Sequence, residues 1–335
     1  MELFLVSLSQ EHPSLARNET IRLFGDKIRW KNNHIFTVEG NLNAILKKAR
    51  KSGAARLVFR VHEEWKTYDI DKIGIALEKF DQHPKKKTFA VKAKRLDKPC
   101  FEELKTSEIE KEVGSAFLMR NPGWKVDLKN PAISIHIVLW EGGIILAELL
   151  MVQKGKDYNW KAPKNLPHFR GGAMKPVFAR MMANLVIPEP GEWVLDPFCG
   201  HGGLLLELVD IEASPVGIEL DRRIVRQAQE NFKHIGYDQI AQLVMGDAFH
   251  LPFRKGSFRK MVCDPPYAIQ TTTSGRQPAQ LVHEWLKNVH EKVELAFALP
   301  NNLLPELPKQ WKILMEADSY VHKNLTRRVR LISNE

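Results

Sequence analysis

The chain has 335 residues, a net charge of +10, 44% hydrophobic and 27% charged residues, a globular composition that excludes collagen-like and low-complexity classes and is long enough for more than one domain. No apolar run reaches the ~18 residues of a membrane span; the nearest, 133–152, is broken by His136, Glu141 and Glu148. The three cysteines, Cys100, Cys199 and Cys263, suit neither a disulfide framework nor a metal site, and the start MELFLVSLSQ lacks a signal's basic region, so a reducing, cytoplasmic, metal-free protein is expected.

Residues 1–50 read as strand, helix, strand, helix. LFLVSL is apolar, Leu15, Ala16, Leu23 and Phe24 share a helix face ended by Gly25, Ile35, Thr37 and Glu39 alternate, and Leu42, Ile45, Leu46 and Ala49 share a second face stopping near Gly53. Strands are expected over 55–61, 88–93, 133–139 and 144–151. Helices are expected through Ile70, Ile73, Leu77 and Phe80, and over 104–118. This half is expected to be an α+β region of small sheets. Residues 153–170 carry Gly, two Pro and four Lys with little periodicity and read as a linker or surface loop. Met174, Val177, Phe178, Met181, Met182 and Leu185 then form a helical stripe, with the methionines as core filling. From Glu192 strands and helices alternate: WVLD, a helix over 204–209, PVGIEL, a helix over 222–233, then strands IAQLVMG, RKMVCD and VELAFALP. Two extended pieces near 313–321 and 328–333 close the chain. Such alternation predicts an α/β fold with a doubly wound, mostly parallel, Rossmann-like sheet.

Residues 1–170 hold 31 Lys+Arg against 21 Asp+Glu, and residues 171–335 hold 19 of each. A basic first half joined to a neutral second half points to a polyanion-binding module beside a part with another task. Lys85, Lys86 and Lys87, then Lys92, Lys94 and Arg95, read as a loop feeding a strand with lysines on one face; a solvated strand face is the plainer alternative.

The turn Asp196-Pro197-Phe198-Cys199-Gly200-His201-Gly202-Gly203 follows a buried strand and opens a helix. Dinucleotide binding wants G-x-G-x-x-G, but Leu205 holds the last position; a P-loop wants G-K-[ST], and no lysine is near. Neither phosphate motif is complete. S-adenosylmethionine, which carries no phosphate, is the remaining candidate: it needs close backbone, an acid for its ribose and polar contacts for adenine. Glu219, ending the second strand with Leu220 next, is placed for the ribose. Asp247, followed by Ala248, is placed for the adenine amine. Either acid alone could be a helix cap, as Asp221 is expected to be; together at successive strand ends they lie where open α/β sheets bind ligands.

The fourth strand ends in Asp264-Pro265-Pro266-Tyr267, the most specific signal in the chain. Two prolines fix two φ angles and remove two donors, leaving carbonyls and one carboxylate to face an incoming amine. An exocyclic base nitrogen is a poor nucleophile because its lone pair is delocalised into the ring. Acceptors from Asp264 and the Pro265 carbonyl would bind its hydrogens and favour pyramidalisation, with Tyr267 stacked on the base. The rate then comes from positioning and electrostatics. The plainer alternative is a Pro-Pro turn with Asp264 as a cap. Cys199 is expected to pack rather than react; His168 and His283 are ordinary polar residues; Trp124 and Trp160 are either core or RNA-stacking residues.

D-P-F-C-G-x-G-G together with D-P-P-Y resembles the Rossmann-fold amino methyltransferases that act on exocyclic base nitrogens. More narrowly, the chain resembles the archaeal tRNA guanine-10 N2-methyltransferases. Gly171-Gly172-Ala173-Met174-Lys175-Pro176 is similar to the family's segment before the core fold. Thr271-Thr272-Thr273 and His322-Lys323-Asn324-Leu325-Thr326-Arg327 fall where the family has signatures, and 126–131, Val-Asp-Leu-Lys-Asn-Pro, resembles a THUMP RNA-binding module. The resemblance implies an N-terminal ferredoxin-like region (1–52), THUMP (53–152), a linker (153–170) and a methyltransferase domain (171–335). It implies S-adenosylmethionine held by Asp196, Phe198, Gly200, Gly202, Gly203, Glu219, Leu220, Asp247, Ala248 and Asp264, and catalysis by Asp264, Pro265 and Tyr267. It also implies tRNA held by Lys85, Lys86, Lys87, Lys92, Lys94, Arg95, Lys125, Lys129 and Arg170. Three departures stand out: Ala268-Ile269 replaces the family's usual Gly-Arg, leaving Arg276 as a possible substitute; His201 replaces Thr; and Glu219 replaces Asp.

The expected activity is transfer of methyl from S-adenosylmethionine to guanine N2 of tRNA, at guanosine 10, giving N2-methylguanosine or N2,N2-dimethylguanosine. The expected form is a monomer, with a small activating subunit left open. An rRNA or DNA amino methyltransferase, acting on guanine N2 or adenine N6, shares the tetrapeptide. A non-catalytic RNA-binding protein should have lost part of Asp196, the glycines, Asp247 or Asp264, and none is lost.

Overall fold

The computed structural model describes residues 1–80, 87–97, 100–266, 278–289, 292–322 and 325–335. Its first elements are β1 (Glu2–Leu8), α1 (Pro13–Phe24), β2 (Ile28–Trp30), β3 (Ile35–Gly40), α2 (Leu42–Lys51), β4 (Ala55–Trp65), α3 (Ile70–Ala76) and β5 (Thr88–Arg95). Next come α4 (Thr106–Arg120), β6 (Lys125–Val126), β7 (Ile133–Trp140), β8 (Gly143–Val152), α5 (Pro176–Leu185), β9 (Trp193–Asp196), α6 (Gly203–Asp210) and β10 (Ser214–Glu219). The last are α7 (Arg222–Ile235), β11 (Gln242–Met245), β12 (Lys260–Cys263), α8 (Pro278–Asn288), β13 (Glu294–Pro300), β14 (Lys312–His322) and β15 (Leu325–Ser333). Among the described residues no helix is long and apolar enough to cross a membrane.

Two compact units interleave in the sequence. Met1–Leu8, Asp26–Ala49 and Ala55–Gln153 form one; Ser9–Gly25, Arg50–Ala54 and Lys154–Glu335 form the other.

In the first unit a single eight-stranded sheet, β2-β3-β1-β4-β8-β7-β5-β6, replaces the expected small sheets. Strand β4 joins them, pairing antiparallel with β1 along one edge and β8 along the other. Its register shifts between Val58 and Phe59 and between Val61 and Glu63. Such bulges turn a strand's faces: Leu57, Phe59 and Val61 point into one core with Leu5, Ile35 and Val138, whereas Trp65 points into another. That second core packs Ile73 of α3 and Ile109, Val113 and Phe117 of α4 on Phe89, Ile135 and Ile137. Trp124 belongs to it, edge-on to Phe117 at 5.3 Å between centroids.

In the second unit the sheet order is β11-β10-β9-β12-β13-β15-β14. The first five strands are parallel, β15 runs antiparallel to β13, and β14 antiparallel to β15. The carboxyl ends of β9 to β12 therefore share one edge, the crevice where α/β sheets bind ligands. Helix α8 lies outside the expected elements, although Leu281, Val282, Trp285 and Leu286 fall at helical spacing and are buried against Leu295 and Phe297. All ten residues of α5 are buried, Met181 and Met182 included.

Two buried polar clusters stiffen this unit. Glu19 of α1, wholly inaccessible, accepts from Ser52 Oγ (2.7 Å), Gly53 N (2.7 Å), Ala54 N (3.0 Å) and Asn184 Nδ2 (2.6 Å). Burial raises its pKa, and these four donors oppose that rise. Residues 154–170 run over the surface but are anchored at Tyr158, Lys161 and Leu166, which are buried. Lys161 Nζ lies 2.7 Å from Glu207 of α6 and also pairs with Asp210. Arg180 of α5 holds the same two acids, at 2.8 Å and 2.5 Å.

Candidate active site

The site is built where β9, β10, β11 and β12 end. Leu195 is buried within the sheet, and Asp196, next along, is 1% exposed at its edge. Asp196 Oδ1 accepts from Phe198 N at 3.0 Å. Burial pushes its carboxyl well above the ordinary range, and the charges of Asp264 and Glu219 add to the rise. The chain then turns sharply: Cys199 N donates to Ile218 O (2.9 Å) and Gly202 N to Cys199 O (2.8 Å). Gly200 and Gly202 have φ of +51° and +87°, a region L side chains avoid. A Cβ at Gly202 would also stand 2.5 Å from Phe232 Cε2. On the other side of the turn, a Cβ at Gly217 of β10 would meet Leu205 Cδ1 at 2.5 Å and Cys199 Sγ at 2.7 Å, so glycine is what lets turn and strand touch. Burial pushes the Cys199 thiol up, and it sits as a packing group.

Glu219 Oε1 accepts from Asp221 N (3.0 Å), and Asp221 in turn caps α7 by accepting from Arg223 N (2.7 Å). Asp247 Oδ1 accepts from Phe249 N (3.0 Å), and Oδ2 lies 3.0 Å from His250 Nδ1. Both acids thus order their own turns and still face the crevice. Leu220 is 67% exposed and Ala248 is buried. Phe198 packs edge-on against Trp285, 5.1 Å away.

One cavity of about 1780 Å³ gathers Asp196, Phe198, Gly200, Gly203, Glu219, Leu220, Asp247, Ala248, Asp264 and Pro265 on its wall. Gly202 lies behind that wall as the N-cap of α6. Four strand-end carboxylates meet the cavity, whose wall also carries the cations Lys161, Arg170, Arg223, Lys287 and Arg327. The carboxylate cluster suits a hydroxyl- and amine-bearing molecule, and Gly200, whose missing Cβ would meet nothing within 4 Å, leaves backbone open to close approach.

Asp264 is half-buried, its neighbour Pro265 buried. Among the described residues Asp264 Oδ1 is buried without a hydrogen-bond partner, and Oδ2 stands 3.8 Å from Arg327 Nη2. Burial pushes its pKa up to about 6 against the pull of Arg327. An unanswered acceptor on a cavity wall can receive an amine's hydrogens. Tyr267, Ala268, Ile269, Thr271, Thr272, Thr273 and Arg276 lie outside the described residues, as do Lys323 and Asn324.

The proposed RNA contacts fall in both units. Lys85 and Lys86 lie outside the described residues; Lys87 and Lys94 are exposed and Lys92 half-buried. Lys92 pairs in register with buried His136, whose pKa falls to about 4 through burial and the charges of Lys94 and Lys92. Arg95 is engaged by its own loop, donating to Cys100 O (3.0 Å), Phe101 O (2.8 Å) and Leu104 O. Lys125 and Lys129 are exposed, and Arg170 lines the cavity of the second unit.

His168, His201 and Arg327 also line the cavity. His168 exchanges hydrogen bonds with Asn231 (N to Oδ1, 2.9 Å; Nδ2 to O, 2.8 Å) and lies 2.5 Å from Glu230. His201 Nε2 meets Gln227 Oε1 at 3.1 Å, and burial lowers its pKa. His283 Nδ1 is 2.6 Å from Glu306 O. Trp160 is half exposed, edge-on to Tyr237. Arg327 had a signal in the sequence: it takes an inward position in β15, in step with Val329 and Leu331.

Comparison with known proteins agrees with this geometry. Residues 163–303 match the RMKL-like methyltransferase domain family, and residues 68–147 match the THUMP domain. The tRNA (guanine(10)-N2)-dimethyltransferase of Methanocaldococcus jannaschii is 26% identical over 97% of this chain and 97% of its own. The crystal structure of TrmN from Thermus thermophilus matches with a TM-score of 0.59 at 20% identity, covering 99% of each chain, which supports the fold. The tRNA (guanine(10)-N2)-dimethyltransferase of Methanothermobacter thermautotrophicus is 31% identical over 74% of this chain and 73% of its own. A THUMP region ahead of a methyltransferase fold, with a carboxylate cluster at its strand ends and that degree of identity, makes this chain a member of the tRNA (guanine(10)-N2)-dimethyltransferase family.

Proposed function

We propose that this chain transfers methyl groups from S-adenosylmethionine to the exocyclic N2 of guanosine 10 in tRNA. The observation that carries the reading is Asp264 on the cavity wall, its buried Oδ1 without a hydrogen-bond partner among the described residues. When bound, S-adenosylmethionine supplies a methyl carbon on a cationic sulfur that leaves with the bonding pair. Asp196 and Glu219 are placed to hold its amine and ribose hydroxyls, Asp247 its adenine amine, and the Gly200 backbone allows close contact. Asp264 Oδ1 accepts a hydrogen of the guanine amine, directing the nitrogen lone pair at the methyl. As the new N–C bond forms, the nitrogen sheds one proton, which the Asp264 carboxylate accepts and passes to water. The Pro265 carbonyl takes the second hydrogen and Tyr267 stacks on the base. A base in a helical stem must be everted to reach such a crevice.

The THUMP region is proposed to hold tRNA by phosphate and shape rather than by sequence. The relatives named as dimethyltransferases favour N2,N2-dimethylguanosine as the final product. We infer that the chain acts on tRNA in the cytoplasm as a monomer, and sedimentation with assay of the purified chain alone would test this and decide whether an activating subunit is needed.

The deciding experiment is methyl transfer from labelled S-adenosylmethionine to an unmodified tRNA transcript, with nucleoside analysis. Wild type should yield labelled N2-methylguanosine and then N2,N2-dimethylguanosine, and Asp264→Ala should yield neither while keeping its fold by circular dichroism. Label in rRNA or DNA but not in tRNA would overturn the substrate; no donor binding by wild type would overturn the enzyme reading.

A further inference from the structure

Arg327 is 6% exposed and sits on β15 between two parts of the site. Its Nη2 donates to Gly172 O at 3.0 Å and lies 3.8 Å from Asp264 Oδ2. Its guanidinium carbon stands 5.9 Å from the centre of the Phe178 ring, whose edge meets His12 at 5.2 Å. Gly172 belongs to the cavity-wall segment 168–173, which Asn231 clamps at His168.

We propose that Arg327 is a positioning residue for methyl transfer: it keeps the Asp264 carboxylate charged and aimed, and ties it to the 168–173 segment of the cavity wall. The inference rests on reading Asp264 as the acceptor of the target amine. The distances carry it. At 3.8 Å the guanidinium is too far for a direct hydrogen bond but close enough to favour the ionised carboxylate. It approaches Oδ2, leaving the buried Oδ1 without a hydrogen-bond partner among the described residues. A residue needed only for packing would not place its charge on the reacting acid while its hydrogen bond goes to the wall loop. Among the described residues the groups facing Asp264 are Asp196 of β9, the buried Cys263 thiol of β12 and Arg327 of β15; Glu284 and Lys287 of α8 line the same cavity. Arg327 is the cation whose pull on Asp264 opposes burial.

The test compares wild type, Arg327→Met and Arg327→Lys in the full chain. Carboxyl-carbon NMR, with Asp264 assigned through Asp264→Asn, reads the Asp264 titration without any substrate. Its midpoint should rise by about one pH unit or more in Arg327→Met and by less in Arg327→Lys. In the tRNA assay kcat at pH 5 should fall about tenfold in Arg327→Met, one pH unit being a factor of ten below both midpoints. It should recover as pH rises, with KM for tRNA and calorimetric affinity for S-adenosylmethionine little changed. An Asp264 midpoint unmoved in a folded variant would overturn the proposal. If Arg327→Met does not fold, the Arg327→Lys midpoint decides. If wild type methylates no tRNA, the functional reading falls, and the carboxyl titration still decides the role of Arg327.

Discussion

At the scale of single residues the proposed reaction turns on the ionisation of Asp264. Its carboxyl is pushed up to about 6 by burial, which outweighs Arg327, whereas an unfolded Asp titrates near ~3.9. The folded state therefore prefers the protonated form. Stability contributed by that preference is present at low pH and is lost as pH rises from about 4 through 6. Asp264→Asn removes the ionisation, so it should melt above wild type at pH 8, with a gain of at most about 3 kcal/mol. At pH 4 the gain should vanish, and equal melting temperatures at both pH values would contradict the shifted carboxyl. Activity runs the opposite way, because the amine needs the carboxylate. kcat/KM should climb about tenfold per pH unit below 6 and flatten above it. A profile already flat at pH 5 would mean that Asp264 titrates lower or is not the acceptor.

At the scale of elements, the strand, turn and helix running from β9 into α6 show what a sequence can disclose. Four apolar-flanked residues, a glycine cluster and a leucine run specify strand, sharp turn and helix locally, so the cofactor wall is legible in that short stretch of residues. Gly202 carries the turn twice, through its φ of +87° and through the ring of Phe232 that a Cβ would strike. Gly202→Ala should keep the fold but weaken S-adenosylmethionine binding by about tenfold or more, since backbone strain of this kind costs ~1–3 kcal/mol. Calorimetry reads it, and unchanged affinity would place the turn away from the donor. What is not legible is whatever depends on partners distant in sequence. Residues 154–170 look like a linker because no period repeats there, yet Lys161 is buried against Glu207 and Asp210 of α6. Arg327 and Asp264 are 63 positions apart, and only the return of β15 beside β13 brings them together. The same limit explains the first unit. The periodicity gives most of its strands, but not that β4 would join them into one sheet, because period-two patterning says which face is apolar and nothing about which strand lies alongside.

At the scale of the whole molecule, the charge changes meaning once the fold is known. Along the sequence the entire excess lies in residues 1–170. Counted by compact unit, the first holds 22 Lys+Arg against 18 Asp+Glu, and the second 28 against 22. The second unit gains its excess from segments that precede the motifs, above all 154–170, where Lys154, Lys156 and Lys164 are exposed. The basic excess is therefore not confined to the first unit; the second unit carries its own share. If tRNA is gripped by both units, charge reversal at Lys156 and Lys164 should weaken tRNA binding about as much as reversal at Lys92 and Lys94. Each pair should also flatten the dependence of log affinity on log salt by about 2, one for each lost phosphate contact. Donor affinity should stay unchanged in both pairs. Filter-binding titrations across a range of salt concentrations would read the slopes. A slope altered only by the Lys92 and Lys94 reversals would return the whole grip to the first unit, leaving the catalytic unit to meet its base without holding the backbone around it.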